Sequence, residues 1–469
     1  MNKILTLFSA VLLAGTLASC SKDEPPLPDN LINFSADKQG LESTAAEAEV
    51  KLSVSRPVDA ATPLTITFTT VGVTYGSDFT TDPAATNSSL TVTIPAGGTS
   101  ASFKVKKAAN VVLNGSEKLS FTLTSAGQAL VLGSTVKAEL SFAAITSDGS
   151  TLTLNGIISS EAGSSAGNSV YVDFSGNSQN SIDRDSWDLG FYSGADYKVI
   201  LNSSNGSSSI KVDKTDLNAV TSSDFNADAL KMGGGEGTLS LLDDPREANI
   251  LNKTAIEVVS AVDSENKVFI VNRKGGSSPA TVAAASDLYK IRILRKGTTG
   301  YTLQYAKVTE TTFKTIEITK DNNFNFQFVS LVSGGLKTVE PAKAKWDMVW
   351  GWNMYFTNFG AGLIPYGFSD LVFINNVGGV TAAEVLTSTV TYANYAEANI
   401  ATTTFLNKRD VIGSNWRATT GTIGVKTDRF YVVKDGSGNV YKLKFNSFHA
   451  SDGGTRGKPV IEYKLVKKG

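Results

Sequence analysis

Between Leu31 and Ala143 apolar and polar side chains alternate with a period of two. Val50, Leu52 and Val54 share one face of a predicted strand, Leu64, Ile66 and Phe68 another, and Leu90, Val92 and Ile94 a third. Phe103 with Val105, and Leu119 with Phe121 and Leu123, continue the series, while threonine, serine and lysine fill the alternate positions. Successive side chains of a strand point to opposite faces, so this pattern predicts half-buried antiparallel strands. Their spacing of about ten residues, with turns such as Pro95 to Thr99, predicts a β-sandwich. Ala144 to Ser150 is polar and small and predicts a linker.

Beyond it the chain remains β-patterned, and its segments recur in order. Ser186-Trp187-Asp188-Leu189-Gly190-Phe191 returns as Lys345-Trp346-Asp347-Met348-Val349-Trp350, and Ile200-Leu201-Asn202 returns as Phe373-Ile374-Asn375. Leu251-Asn252-Lys253 returns as Leu406-Asn407-Lys408, and Val268-Phe269-Ile270-Val271 as Phe430-Tyr431-Val432-Val433. The strand pair at Leu288–Ile291 and Tyr301–Tyr305 returns at Val440–Leu443 and Ile461–Leu465. In-order recurrence of this kind predicts two homologous β domains, over residues 151–308 and 309–469. The expected class is all-β. The aspartates that follow tryptophan in both copies predict a structural hydrogen bond at the same corner.

The first twenty residues carry a different pattern: Lys3, an apolar run from Ile4 to Leu17, then Ala18-Ser19-Cys20. The run is too short to span a bilayer and has the flanks of a secretory leader, over residues 1–19. Leu17-Ala18-Ser19-Cys20 resembles the bacterial lipoprotein signal, which implies cleavage before Cys20 and its lipidation. At about 0.8 kcal/mol per buried methylene, several acyl chains anchor a protein stably. Ser21-Lys22-Asp23-Glu24 resembles the surface-export signal of Bacteroidetes lipoproteins, and proline-rich residues 20–30 read as an extended tether. The expected location is therefore the outer membrane, surface-exposed, with the membrane itself as partner.

Composition narrows the function. Basic and acidic side chains number 43 and 44, leaving a formal charge of −1 and no basic stripe for nucleic acid. Cys20 is the single cysteine and His449 the single histidine. Thiol and histidine-based nucleophilic arrangements, phosphate-cradling glycine loops and H-x-x-x-H metal motifs are absent from the sequence. Aspartates cluster at Asp183, Asp185 and Asp188 and at Asp243 and Asp244, where such residues usually cap turns. No enzyme is expected.

Two resemblances sharpen the reading. Gly40-Leu41-Glu42, Tyr75-Gly76-Ser77-Asp78-Phe79, Ile94-Pro95-Ala96-Gly97-Gly98-Thr99 and Asn114-Gly115-Ser116-Glu117 make residues 31–143 resemble a Calx-beta domain. Glu42, Asp78 and Glu117 match three calcium-ligating places of that family, but Ala109-Asn110 replaces its acidic pair. A hard cation that takes six to eight oxygens loses affinity with each missing carboxylate. The two later copies resemble the HmuY family of haem-binding surface lipoproteins. Trp346-Asp347, the Asn375 region, Asp428-Arg429-Phe430-Tyr431-Val432-Val433, Tyr441-Lys442-Leu443-Lys444-Phe445 and Gly457–Tyr463 carry that resemblance.

This second resemblance implies a cleft in which histidine or methionine holds haem iron. The place where the histidine-using branch puts a ligand is Tyr192 in one copy and Gly351 in the other, and His449 lies in a polar loop. Beyond Met1 the methionines are Met232, Met348 and Met354. Trp346, Met348, Trp350, Trp352, Met354 and Tyr355 form the candidate ligand-binding segment, with Phe356 and Phe359 beyond them. So many aromatics exceed what one strand face buries, and some are expected to line a pocket or an exposed patch. Methionine on such a face also serves as core filling. The leading expectation is non-catalytic haem or porphyrin capture for uptake. The alternative is a surface adhesin or accessory subunit that binds a host or nutrient protein, or a glycan, through the aromatic cluster.

Overall fold

The computed structural model describes residues 29–41, 45–108, 117–127, 129–142, 146–277, 279–360 and 362–469. The leader, Cys20 and most of the tether lie outside these residues, as do Glu42 and Ala109-Asn110. The described chain is almost entirely β, with one four-residue α-helix at Glu397–Ile400. Among the described residues no helix is long and apolar enough to cross a membrane.

Residues 29–142 fold as two five-stranded sheets packed face to face. The strand Glu47–Val54 shows how alternation builds them. It exposes Glu47, Glu49 and Lys51 and buries Ala48, Val50, Leu52 and Val54. Leu64, Ile66, Phe79, Phe121 and Leu140 meet these side chains in a core without solvent exposure. The sandwich expected from the alternation is present.

The rest of the described chain forms four larger sheets arranged as two further sandwiches, and a two-stranded ribbon of 417–418 and 424–425. In the first, a four-stranded sheet runs 199–201, 189–192, 326–330, 335–337. It packs through Leu189, Phe191 and Val329 onto a five-stranded sheet in the order 208–212, 268–272, 289–296, 300–307, 314–319. In the second, a four-stranded sheet runs 363–374, 348–358, 168–173, 178–183. It packs through Met348, Trp350 and Val172 onto a sheet in the order 381–386, 429–434, 440–447, 460–467, 149–153.

The ladders cross the boundary expected at 308/309. Strands 314–319 and 326–330 pair with 300–307 and 189–192, whereas strands 149–153 and 168–173 pair with 460–467 and 348–358. Backbone pairing, which leaves few buried donors unmet, overrides the linear division. The expected linker also carries structure. Gly149 and Ser150 begin a strand, and Ser147 is buried with its carbonyl accepting the Tyr441 hydroxyl at 3.0 Å.

Both sandwiches hang on the same polar corner. The Asp188 carboxylate accepts the Leu331 N–H at 2.6 Å, and the Asp347 carboxylate accepts the Phe174 N–H at 2.7 Å. The Asn202 amide donates to the carbonyls of Arg184 and Trp187 at 2.8 and 2.7 Å. The Asn375 amide donates to those of Lys343 and Trp346 at 2.8 and 3.0 Å. Trp187 meets Phe328 edge to face at 4.7 Å, and Trp346 meets Tyr171 in the same way at 5.1 Å. Deeper in, Lys290 donates to the Val220 carbonyl at 2.9 Å and Lys442 to the Tyr392 carbonyl at 2.7 Å.

The corners differ in charge. Asp188 is paired with Arg273, whereas Asp347 lies near Asp173 and Asp435, all three buried. Burial, and then the Asp173 charge, push the Asp347 carboxyl well above its usual range. Burial likewise pushes Glu340, which accepts the Phe326 N–H at 2.9 Å, up to about 8.

Two outcomes follow from this architecture. A fragment of residues 309–469 lacks three strands of its sandwich and should give a non-cooperative melt, whereas residues 146–469 should melt cooperatively with a β-type circular dichroism spectrum. For Glu340, the folded state holds a proton that the unfolded chain has already lost, from the unfolded pKa of 4.5 up to about 8. Stability therefore falls as pH rises through that window. Glu340→Gln should remove a few kcal/mol of that loss, at about 1.36 kcal/mol per pKa unit, when urea midpoints at pH 5 and pH 8.5 are compared.

Candidate functional site

The strand Met348–Asn358 distributes the aromatic segment among separate environments. Before a bulge at Gly351/Asn353, alternation directs Met348 and Trp350 into the second sandwich, where neither has any solvent exposure. These two expected contact residues are core filling: the opposing sheet, with Tyr431 and Leu443, occupies the space before them. Trp346 points the other way, onto Tyr171 and a cavity between the two sandwiches. Beyond the bulge, Trp352, Met354 and Phe356 enter a third cluster. Tyr355 is half-buried, donates to the Asp410 carboxylate and packs edge to face on Phe368 at 5.4 Å.

The third cluster contains a residue the segment could not predict. Met232, with Leu239 and Leu242, packs against Met354, Trp352 and Phe356. Two glycine-bearing loops wrap it. The Gly276 N–H donates to the Met232 carbonyl at 2.7 Å, and a Cβ at Gly276 would lie 2.4 Å from Trp352 Cη2 and 3.6 Å from Met354 Cε. Gly237, at φ +104°, approaches Met232 so closely that a Cβ there would lie 2.6 Å from Sδ. Only glycine permits both the left-handed backbone and this approach. Across the Trp352 ring, the Arg184 guanidinium stands 4.9 Å from the centroid. The sequence signal was the run Gly233-Gly234-Gly235-Glu236-Gly237 directly after Met232.

The hairpin continues past this cluster to an exposed end. Residues 348–369 contain no charged side chain. Phe359 is 67% exposed, with Leu363 and Tyr366 also exposed, and Phe359, Tyr366 and Phe368 stack edge to face in succession.

The remaining candidates are separate from this cluster. His449 caps a 3-10 turn, its Nδ1 2.8 Å from the Ser451 hydroxyl and accepting the Ser451 N–H. Asp78 uses its carboxylate to accept the Thr74 N–H at 2.7 Å. Glu117 is buried beside Gly72, and Glu42 lies outside the described residues. Among the described residues no three His, Cys, Asp or Glu side chains are grouped to hold a metal ion. Asp243 accepts the N–H groups of Leu201 and Ala255, and Asp185 pairs with Lys274, so both act as structural caps and ion-pair partners.

The arrangement is a buried apolar cluster that holds two soft thioethers, continuous with an exposed aromatic hairpin, and both features suit binding. The chain belongs to the HmuY family: the model of that family, HmuY protein, matches residues 165–463, across both later sandwiches. At family level this is a haem-binding type of surface protein, and a binding family rather than an enzyme family. A comparison with curated protein sequences finds no match. Among solved structures, the apo-form Calx CBD1 domain is 13% identical, with 25% of this chain and 97% of that one covered and a TM-score of 0.22. A putative carbohydrate binding protein from Bacteroides ovatus is 11% identical, with 94% of this chain and 98% of that one covered and a TM-score of 0.17. At these TM-scores the likenesses bear on neither ligand nor function.

Proposed function

We propose that this chain is a lipid-anchored surface protein that captures a porphyrin without transforming it, and that its two later sandwiches are copies of one unit. The identical strand order and the matched Asp, Asn, Trp and Lys contacts support the duplication. The ligand site is the buried cluster of Met232, Trp352 and Met354. What carries this reading is that two of the three internal methionines, from distant parts of the chain, share one apolar cluster with a tryptophan under glycine loops.

The donor set fits haem: a thioether is a soft axial ligand for iron, and a flat aromatic wall suits a macrocycle. At this cluster Met232 and Met354 would supply the sulfurs, Trp352 the stacking face, and Arg184, 4.9 Å from the Trp352 ring, a cation for an anionic substituent. A ligand enters by displacing the loops at Gly233–Gly237 and Gly275–Gly276, whose glycines lower the cost of changing backbone conformation. A second reading rests on the exposed end of the hairpin: Phe359, Leu363 and Tyr366 would suit contact with a protein or glycan.

Haemin titration followed at the Soret band separates these readings. Wild-type protein should show saturable binding, Met232→Ala and Met354→Ala should each weaken it and alter the band, and Trp352→Ala should cost about 1 kcal/mol. Met348→Ala should leave the band unchanged. Absence of saturable binding in wild type would remove haem and leave the hairpin as the contact surface. For the anchor, Cys20→Ala should move the protein from the membrane fraction to the soluble fraction. Retention in the membrane at full yield would refute lipidation there.

A further inference from the structure

A cavity lies between the two later sandwiches, apart from the methionine cluster. The four-stranded sheets face each other across it. One contributes Trp187, Phe326 and Phe328, and the other Tyr171, Trp346 and Phe373. The cavity measures 120 Å³. Cavities of about 150 Å³ accept a single benzene ring, so the space suits one ring and no more.

One cation faces this space. Arg409 is buried, lines the cavity and stacks its guanidinium 3.9 Å from the centroid of Phe373. Among the described residues its guanidinium makes no hydrogen bond and no ion pair. The carboxylates whose charges reach it, Asp243 and Asp410, are engaged elsewhere. Asp243 accepts two backbone N–H groups at 2.6 and 3.0 Å, and Asp410 accepts the Tyr355 hydroxyl and stands 3.1 Å from Lys408. The Trp346 Nε1–H, on the same cavity, is buried with no acceptor. Glu340 also lines the cavity, where burial pushes its carboxyl up to about 8.

The buried Trp346 N–H lacks an acceptor, which is costly, and the Arg409 guanidinium has donors free toward the cavity, so an anion with oxygen acceptors would satisfy both. The repeat supports a dedicated role for the cation. Where the second copy reads Leu406-Asn407-Lys408-Arg409, the first reads Leu251-Asn252-Lys253-Thr254, so the arginine is not part of the shared framework.

We propose that this cavity binds a small planar carboxylate, its ring between the aromatic walls and its carboxylate on Arg409 and the Trp346 Nε1–H. An arginine–carboxylate pair of this kind can be bidentate and charge-assisted. The site is independent of the haem reading.

The test uses the full-length protein with benzoate as probe and benzamide as its neutral isostere, read by calorimetric titration, tryptophan fluorescence and thermal melting. Benzoate should bind saturably at or below about 10 mM, raise the melting temperature and change tryptophan emission. Benzamide should bind at least about tenfold more weakly, the equivalent of 1.4 kcal/mol. Arg409→Gln should abolish the preference for benzoate while leaving the haemin titration unchanged. Trp346→Phe, which keeps an aromatic wall, should weaken benzoate alone. If Arg409→Gln fails to fold, the benzoate-to-benzamide ratio in wild type decides. No saturable benzoate response in wild type, or equal affinity for benzamide, overturns the proposal.

Discussion

A buried aspartate after a tryptophan holds the head of each later sandwich, and the rest of that body depends on it. The carboxylate caps a backbone N–H in the neighbouring strand, and an asparagine side chain closes the loop before the tryptophan from the other side. Leaving such a buried donor unmet costs about 1–3 kcal/mol, so each corner is a fixed point from which two strands leave in set directions. The tryptophan is thereby aimed outward, onto Phe328 in one sandwich and Tyr171 in the other, where the two units meet. The corner thus determines both the internal frame of each unit and the surface through which they pack.

Much of this was legible in the chain itself. Period-two alternation located five strands of the N-terminal sandwich, because one face of each is wet and the other dry, but not the shorter strands 31–34, 79–82 and 137–141, which also bury Ile32, Phe79 and Leu140. The Trp-Asp pairs and their asparagines could be matched from sequence because their geometry admits few substitutes. The division at 308/309 was not legible. Local patterns report which residues form strands, while pairing partners are set by tertiary packing, and strands 149–183 find theirs beyond residue 348.

The aromatic segment illustrates the same limit at the scale of side chains. Its composition marked it as exceptional, but a single bulge at Gly351/Asn353 separates residues that fill the sandwich core from residues that join a separate apolar cluster. No periodicity announces a bulge, so Met348 and Met354 looked alike. Met232 was hidden for another reason: its partner is distant in sequence, and only the glycine run after it hinted at a close backbone approach. Arg409 carried no sequence signal at all beyond its mismatch with Thr254 in the repeat.

The pairing of the earliest and latest strands also governs how the chain acquires its structure. Residues 187–337 make a complete sandwich that lies within the chain of another, so it can close while its host is still being synthesised. Strand 149–153 meanwhile has no partner until the strand ending at Lys467 exists, and the hairpin of 168–173 and 178–183 has no sheet to join until 348–358. Contacts this far apart in sequence slow folding, and waiting edges invite pairing with other chains. The second sandwich is therefore the last part to become stable and the part most exposed to misassembly, although its first strands are among the first made.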